Sequence, residues 1–467
     1  MLRRKFLKWS LGSLAIGAAG IGCKESTMKP NVLFIAIDDL NTWVGCLKHL
    51  RQHVPTALTP NIDKLASQGA LFSNAHAPVP WCMPSRNNTL TGLYANQSGI
   101  FNSEEFRNFL PDIKTLPQHF MDNGYYTLAG GKLFHDTYPD AQSWNEYEQF
   151  PRPASQKRQN PPLNHMESND DMDTMDWGKI EAPDKDLTDA KIADWAIQQL
   201  DKTFDKPFFM GVGFRFPHLP WYLPHKYLEK YPLDSISLPW VKDDDLDDVP
   251  LAGKKMAFND PFATEWSPEK SDHTRIVKSN NWKPAVQAYL AAISCMDEQL
   301  GHLLEKLESS KYSKNTIVVL WSDNGFHLGE KLHWRKFTLW DEATRVPLVI
   351  RAPGAKAKGI INNQAVSLVD IYPTLIELCG LSMPAHKLGG ESLVKLMYDA
   401  KAQRNTPVFT TYGKGNDSVV DGRWRYIRYA DNSEELYDHQ ADPQEWVNVS
   451  DKKELMDIKN KFKAFLS

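Results

Sequence analysis

Cysteine is scarce. The 467 residues hold five: Cys23, Cys46, Cys82, Cys295 and Cys379. They are scattered without the spacing of a disulfide framework, so the fold must rest on a core rather than on covalent staples. For Cys46, Cys295 and Cys379 the expected state is a buried free thiol. An excess of positive charge is also missing. Lys and Arg number 54 against 58 Asp and Glu, a net charge of −4, which argues against a nucleic-acid surface built on bulk charge. Any anion site must be assembled from a few local cations. No internal repeat recurs, and no apolar run is long enough to span a bilayer.

The longest mild apolar run, Trp9 to Gly22, is rich in Gly and Ala and follows the charged start Arg3-Arg4-Lys5-Phe6-Leu7-Lys8. This reads as a signal peptide. RRKFLK resembles the twin-arginine export signal, which carries folded proteins. The run ends in Ile21-Gly22-Cys23, similar to a lipobox in which Cys23 becomes a lipidated first residue, although Gly20 stands where Leu is usual. Export without lipidation is the simpler alternative. The expected location is the periplasm or cell envelope, with membrane attachment through Cys23 if it is lipidated.

The chain is long enough for one large α/β domain and a smaller one. Asn31–Ile37 (NVLFIAI) has the continuous apolar character of a buried parallel strand. Residues 124–129, 207–213 and 316–321 predict further strands. Thr59-Pro60 opens a helix through Gly69, with Thr59 as cap. Residues 189–200 and 286–307 predict helices, the second with Val286, Tyr289, Leu290, Ile293, Met296, Leu300, Leu303, Leu304 and Leu307 at three-and-four spacing. Strands alternating with helices imply an α/β fold with a mostly parallel central sheet sandwiched by helices. Two long stretches, 136–186 and 238–282, predict loops. After Leu381 the pattern changes to short strands at 407–412, 418–430 and 435–438 and a closing helix at 452–466, a small C-terminal α+β subdomain. The expected division is a leader and linker (1–29), a catalytic domain (30–385) and a C-terminal subdomain (386–467).

Two strands end in acidic groups: Asp38-Asp39 after NVLFIAI and Asp323-Asn324 after TIVVLWS. Ligands collect at the carboxyl ends of parallel strands. Three carboxylates and an amide oxygen form a hard donor set that suits Ca²⁺ or Mg²⁺ better than zinc. Taken singly, a solvated strand end and an ordinary turn explain them as well. Residues 80–94, PWCMPSRNNTLTGLY, place Cys82 at the start of a helix through Gly92, where unpaired N–H groups and the helix dipole favour an anion and would lower a thiol pKa. A buried thiol in a Pro-containing turn is the plain alternative.

Cys82-Met83-Pro84-Ser85-Arg86 followed by Leu90-Thr91-Gly92 resembles the sulfatase signature C-x-P-S-R…LTG. The resemblance extends through TPNIDKLASQGALFSNAHA, GYYTLAGGKLFH, GFRFPHLP, WSDNGFHLGE with HWRK, and ELYDHQADPQEWVN, and is nearest to iduronate-2-sulfatase-like members. It implies the alkaline phosphatase-like fold and conversion of Cys82 to formylglycine (3-oxoalanine) by a formylglycine-generating enzyme or an anaerobic maturase. It further implies one Ca²⁺ (Mg²⁺ as the lesser alternative) on Asp38, Asp39, Cys82, Asp323 and Asn324. Arg86, Lys132, His135, His218 and Lys336 match the remaining catalytic positions. His327 and His333, flanking the second acidic strand end, are candidates for substrate contact or for structural roles. The expected activity is hydrolysis of sulfate esters on a glycan. The alternatives are a choline-sulfatase-like or arylsulfatase-like small-ester hydrolase, a phosphonate monoesterase, or an inactive exported glycan-binding homologue. Three residues depart from the pattern. Asn324 replaces the His of iduronate-2-sulfatases and Phe216 their basic residue, which weighs against iduronate as substrate. Leu93 replaces the Arg common after LTG, which bears on how efficiently Cys82 is modified.

Overall fold

The computed structural model describes residues 29–50, 54–166, 175–258, 267–354 and 358–466. The leader with Cys23 lies outside them. No helix among the described residues is long and apolar enough to cross a membrane.

The fold is built on a nine-stranded mixed sheet. Its strands are β1 (Asn31–Ile37), β2 (Ala70–His76), β3 (Tyr126–Gly131), β4 (Glu146–Glu148), β5 (Phe208–Phe214), β6 (Thr316–Ser322), β7 (Arg345–Arg351), β8 (Ile360–Asn362) and β9 (Val366–Ser367). The order across the sheet is β8-β2-β7-β6-β1-β5-β3-β4, with β9 also on β2. Among the described residues only β7 runs antiparallel to its neighbours in this sheet, pairing with β2 on one side and β6 on the other. The mostly parallel sheet anticipated from the alternating pattern is therefore the observed one.

NVLFIAI sits at the centre because every residue in it is buried. A strand alternates its side chains between faces. Accordingly Leu33, Ile35 and Ile37 join the apolar layer on one side, while Val32, Phe34 and Ala36 join the layer on the other. The helix Trp282–Ser309 covers the first face; at 1.5 Å per residue its 28 residues reach about 42 Å. Its residues at three-and-four spacing, Val286 to Leu307, are all buried against that sheet face, as the periodicity predicts.

Some boundaries differ from the pattern-based reading. The helix Pro60–Gln68 forms, but Thr59 does not cap it. Its hydroxyl accepts from Gly45 N at 2.8 Å and reaches Asp63 instead, so a tertiary contact displaces the local one. The two stretches read as loops carry structure. Trp177–Ile180 pairs in parallel with Trp221–Pro224, and helices run Leu251–Phe258 and Asp272–Lys278. Cys295 and Cys379 are buried free thiols, whereas Cys46 is only partly so.

The C-terminal region forms a separate antiparallel meander of β10 (Val408–Thr411), β11 (Asp417–Val420), β12 (Trp424–Arg428) and β13 (Glu434–Asp438). What reads as one strand over 418–430 is a hairpin, turned at Gly422, whose φ of +103° suits only glycine. The helix Met456–Phe465 covers the sheet through Phe462, which meets Val419, Tyr426 and Leu436. A buried ion network ties this sheet to the main body. Arg425 donates to Glu445 and Asp341 and to the carbonyl of Leu339. Lys331 donates to Asp245 at 2.7 Å and to the Glu445 carbonyl. Both cations lie within a few residues of Lys336 or pair with residues that do, so the C-terminal region braces the loop that carries it.

Candidate active site

Four neighbouring parallel strands end at the same level. Ile37 of β1 stands beside Ser322 of β6 and Phe214 of β5, and Gly213 of β5 beside Gly131 of β3. The residues that follow these ends are Asp38-Asp39, Asp323-Asn324, Arg215 to His218, and Lys132 to His135. Sheet register alone thus gathers four separate sequence motifs at one edge.

Asp39 has φ of +64°, a left-handed conformation that Asp tolerates better than bulkier residues. It is held from three sides. Its N–H donates to Asp323 Oδ1 at 3.0 Å, its carbonyl accepts from Tyr289 Oη at 2.8 Å, and its Oδ1 accepts from Asn324 Nδ2 at 2.8 Å. Tyr289 comes from the middle of the long core helix, so the core itself aims the carboxylate. Asp38, Asp39 and Asp323 each bring an oxygen within 4.8 Å of the other two, and Asp38 does the same with Cys82 Sγ and a ring nitrogen of His218.

Each carboxylate meets a cation. Lys132 Nζ lies 2.6 Å from Asp38 Oδ2, Lys336 Nζ 2.5 Å from Asp39 Oδ1, and Arg86 Nε 2.6 Å from Asp323 Oδ2. Arg86 is fully buried and also donates to the Lys132 carbonyl. Burial penalises the Asp38 carboxylate, but Lys132, His218, Arg86 and Lys336 outweigh the penalty and hold its pKa well below the usual range. For Asp323 burial wins over Arg86 and raises the pKa. The Lys132 and Lys336 ammonium groups are raised, because Asp38 and Asp39 overcome the desolvation of each.

Cys82 opens the helix Cys82–Thr91, with Trp81 as the preceding residue. Every residue of this helix is buried, and Gly92 closes it in a left-handed turn (φ +69°) against Tyr372 and Leu388. The helix start is where the sequence puts it, but the thiol does not behave as helix polarity predicts. Burial raises its pKa, and the opposing pull of Lys132 and Lys336 does not compensate.

Two buried oxygens, Asp38 Oδ1 and Asn324 Oδ1, lack a hydrogen-bond partner. Buried acceptors are rarely left unsatisfied. With three carboxylates converging on them, they meet the demands of a hard divalent cation, and the donor set fits Ca²⁺. The donor set expected from the two strand ends is thus brought together in the fold.

His135 and His218 lie at the rim. His218 Nδ1 is 2.6 Å from the Leu219 carbonyl, and Nε2 faces Asp39 Oδ2 at 3.8 Å. Burial pushes the His218 imidazole down to about 4 and that of His135, beside Lys132, down to about 3. His327 and His333 are not at the rim. His327 reaches the Glu330 carbonyl and the Thr338 hydroxyl, and His333 the carbonyls of Ala257 and Lys336. Both rings are buried with both nitrogens engaged by protein; of the two roles open to them, substrate contact and structure, this geometry fits the structural one, shaping the loop around Lys336. Arg152 carries no motif and was missed. It donates to the carbonyls of Leu219 (2.8 Å) and His218 (3.2 Å) and so fixes the turn that presents His218. A lone Arg in a Pro-rich stretch offers no sequence signal for this.

Residues 30–381 match the family described as "Sulfatase". The chain belongs to the sulfatase family. Residues 329–467 of this sulfatase also match the family described as "N-sulphoglucosamine sulphohydrolase, C-terminal". A "Sulfatase" of Formosa agariphila is 38% identical over 448 residues, covering 90% of this chain and 83% of the relative. "Iduronate 2-sulfatase" of Mus musculus is 31% identical over 440 residues, covering 80% and 73%. Among solved structures, BT4656 in complex with its substrate D-glucosamine-2-N,6-O-disulfate superposes with a TM-score of 0.72 at 21% identity, covering 94% of this chain and 97% of that one. The sulfatase is a sulfuric ester hydrolase, and its fold is that of its family.

Proposed function

We propose that this sulfatase removes sulfate esters from a sulfated glycan, with Cys82 oxidised to formylglycine and one Ca²⁺ held by Asp38, Asp39, Asp323, Asn324 and the modified residue 82. The observation that carries the reading is the convergence, at one sheet edge, of three carboxylates, two orphaned oxygens and three buried cations around Cys82. The glycan is favoured by the relatives named for uronic-acid and glucosamine chemistry.

When bound, Ca²⁺ supplies positive charge to the sulfate oxygens. Formylglycine at position 82 would supply, as its hydrate, one hydroxyl for attack on sulfur and a second that lets sulfate leave. The chain's own residues do the rest. Lys132 and Lys336 border the position of the transferring group and offset the charge that builds on its oxygens. Arg86, locked between Asp323 and the Lys132 carbonyl, orients residue 82 and lends it positive field. His135 enters neutral and can accept a proton from the second hydroxyl. The sugar alcohol is a poor leaving group and needs a proton. Lys336, charged through its pairing with Asp39, is assigned that donation, while His218 presents Nε2 toward the same carboxylate.

Lys336→Ala should lower kcat on a sugar sulfate about 10²–10⁴-fold. The loss on 4-nitrophenyl sulfate, whose leaving group needs no proton, should be at least tenfold smaller. Equal losses on both esters would remove Lys336 from the donor role. The glycan reading is tested by a panel of defined sulfated mono- and oligosaccharides, with the freed hydroxyl mapped in each product. Sulfate release from one or more saccharides is expected. Saccharides left intact beside rapid cleavage of choline sulfate or a phosphonate monoester would overturn it.

A further inference from the structure

Lys336 stands between two residues in the left-handed region, Arg335 (φ +72°) and Phe337 (φ +80°). Residues with side chains hold that conformation only where their surroundings enforce it. The loop enters through the antiparallel pair His327–Leu328 and Trp334–Arg335 and is pinned beyond Lys336 by Phe337 N donating to the Pro80 carbonyl at 3.1 Å. The Lys336 peptide itself is gripped by His333.

His333 Nε2 lies 2.6 Å from the Lys336 carbonyl oxygen and Nδ1 2.7 Å from the Ala257 carbonyl oxygen. Both partners can only accept. A neutral imidazole has one N–H and one lone pair, so either neutral tautomer sets a lone pair against a carbonyl oxygen at contact distance. Turning the ring over brings carbon to the same oxygens, well inside the roughly 3.3 Å that a C–H···O contact requires. The ring is 5% exposed, which leaves water little room to relieve the conflict. His327 shows the contrast: one of its partners is the Thr338 hydroxyl, which can donate, so a neutral ring satisfies it.

We propose that His333 is held doubly protonated and is the positioning residue that fixes the Lys336 backbone. Its surroundings work in both directions. Ala257 lies in the last turn of the helix Leu251–Phe258, where carbonyls lack helical partners and the dipole favours a cation. Asp272, at the start of the helix Asp272–Lys278, also favours the charge, although it is shared with Arg335 and Arg275. Burial opposes it, as do Arg335 on the same hairpin and His273 beside Asp272, and the His327 ring lies edge-on with centroids 4.9 Å apart. Burial lowers the ring's pKa even with both carbonyl contacts counted; the doubly protonated state stands against this on the contact geometry, since neither neutral tautomer satisfies both carbonyls. When the second proton leaves, one contact is lost and the Lys336 peptide is released into a strained turn.

The protonation state rests on geometry alone. Its effect on rate rests on the role given to Lys336 under the proposed function. Long-range ¹H–¹⁵N correlation of the ¹⁵N-histidine-labelled protein at pH 8 reads the first, with His333→Asn assigning the signal. Both nitrogens of His333 should be protonated at a pH where an ordinary imidazole is neutral. A single protonated nitrogen overturns the proposal whatever the kinetics show. The second is read with the saccharide desulfated fastest in the panel above. The wild-type kcat profile should fall on an alkaline limb, and His333→Asn should lower kcat about 10- to 100-fold and abolish that limb. If His333→Asn does not fold, His333→Gln serves for both readouts. Wild-type kcat and pH profile in a folded variant would overturn the positioning role, even with the doubly protonated ring observed.

Discussion

Cys82→Ala should reduce sulfate release by at least about 10⁴-fold, the order seen when a covalent nucleophile is removed, and should leave the fold standing. The side chain lost is small. The helix Cys82–Thr91 is kept in place by contacts elsewhere along it, including Ser85 Oγ to the Asp323 carbonyl and Asn88 Nδ2 to the carbonyls of Pro84 and Ile100. The ion pairs of Asp38, Asp39 and Asp323 involve Lys132, Lys336 and Arg86 rather than the thiol. Sulfate assay and thermal melt together separate a lost nucleophile from a lost fold. Cys82→Ser adds a finer test. Serine has one hydroxyl, so it meets the demand for attack and fails the demand for release; at most one equivalent of alcohol should appear, without sulfate. In the active wild type, the peptide containing Cys82 should be lighter by the difference between CH2SH and CHO. A fully active protein with an intact thiol would sink the formylglycine reading. Burial raises the Cys82 thiol pKa, against what its place at a helix start suggests.

That last point marks where the sequence could be read and where it could not. Strand character, helix faces and the order of the catalytic motifs are local or near-local properties, and NVLFIAI, the long helix and the stretch around Cys82 declared them. The pKa of Cys82 is not local. Helix polarity predicts a lowered value, but ten buried residues in succession place the thiol where desolvation outweighs the pull of Lys132 and Lys336. The same holds for the histidines. HLGE and HWRK look like pocket-lining motifs until the chain folds the rings inward onto carbonyls from residues 257, 330 and 336. Arg152 and Tyr289 act on His218 and Asp39 from 66 and 250 positions away, and no pattern in their own neighbourhoods records it. Even the strand β7, which opposes its neighbours, looks in sequence like any other apolar run, because strand direction is set by pairing partners.

Exhaustive chelation should cost about 10³-fold in kcat and only a modest part of the stability. The unequal response follows from the charge arrangement. Three buried carboxylates without counter-charges would repel one another and open the site, but here each meets Lys132, Lys336 or Arg86 within 2.6 Å. The metal-free site is electrically balanced and should stay folded. What it lacks is a partner for Asp38 Oδ1 and Asn324 Oδ1, and a net positive charge to set against sulfate. Ca²⁺ supplies both. By linkage, Ca²⁺ at 100 times its dissociation constant adds about 2.7 kcal/mol, which should appear as a rise in melting temperature of a few degrees. Ca²⁺ should restore activity better than Mg²⁺, which demands near-octahedral geometry and gives up its water reluctantly. Asp323→Asn removes a ligand charge and leaves Arg86 buried without its closest carboxylate. It should therefore lose the Ca²⁺-dependent rise and also melt below the wild-type metal-free protein, by about 3–5 kcal/mol. Activity that survives chelation, or a Ca²⁺ response that survives Asp323→Asn, would remove the metal from this edge of the sheet. A variant that lost activity yet kept the metal-free melting temperature would instead show that Arg86 is satisfied by the Lys132 carbonyl and Asp38, and that Asp323 serves the metal alone.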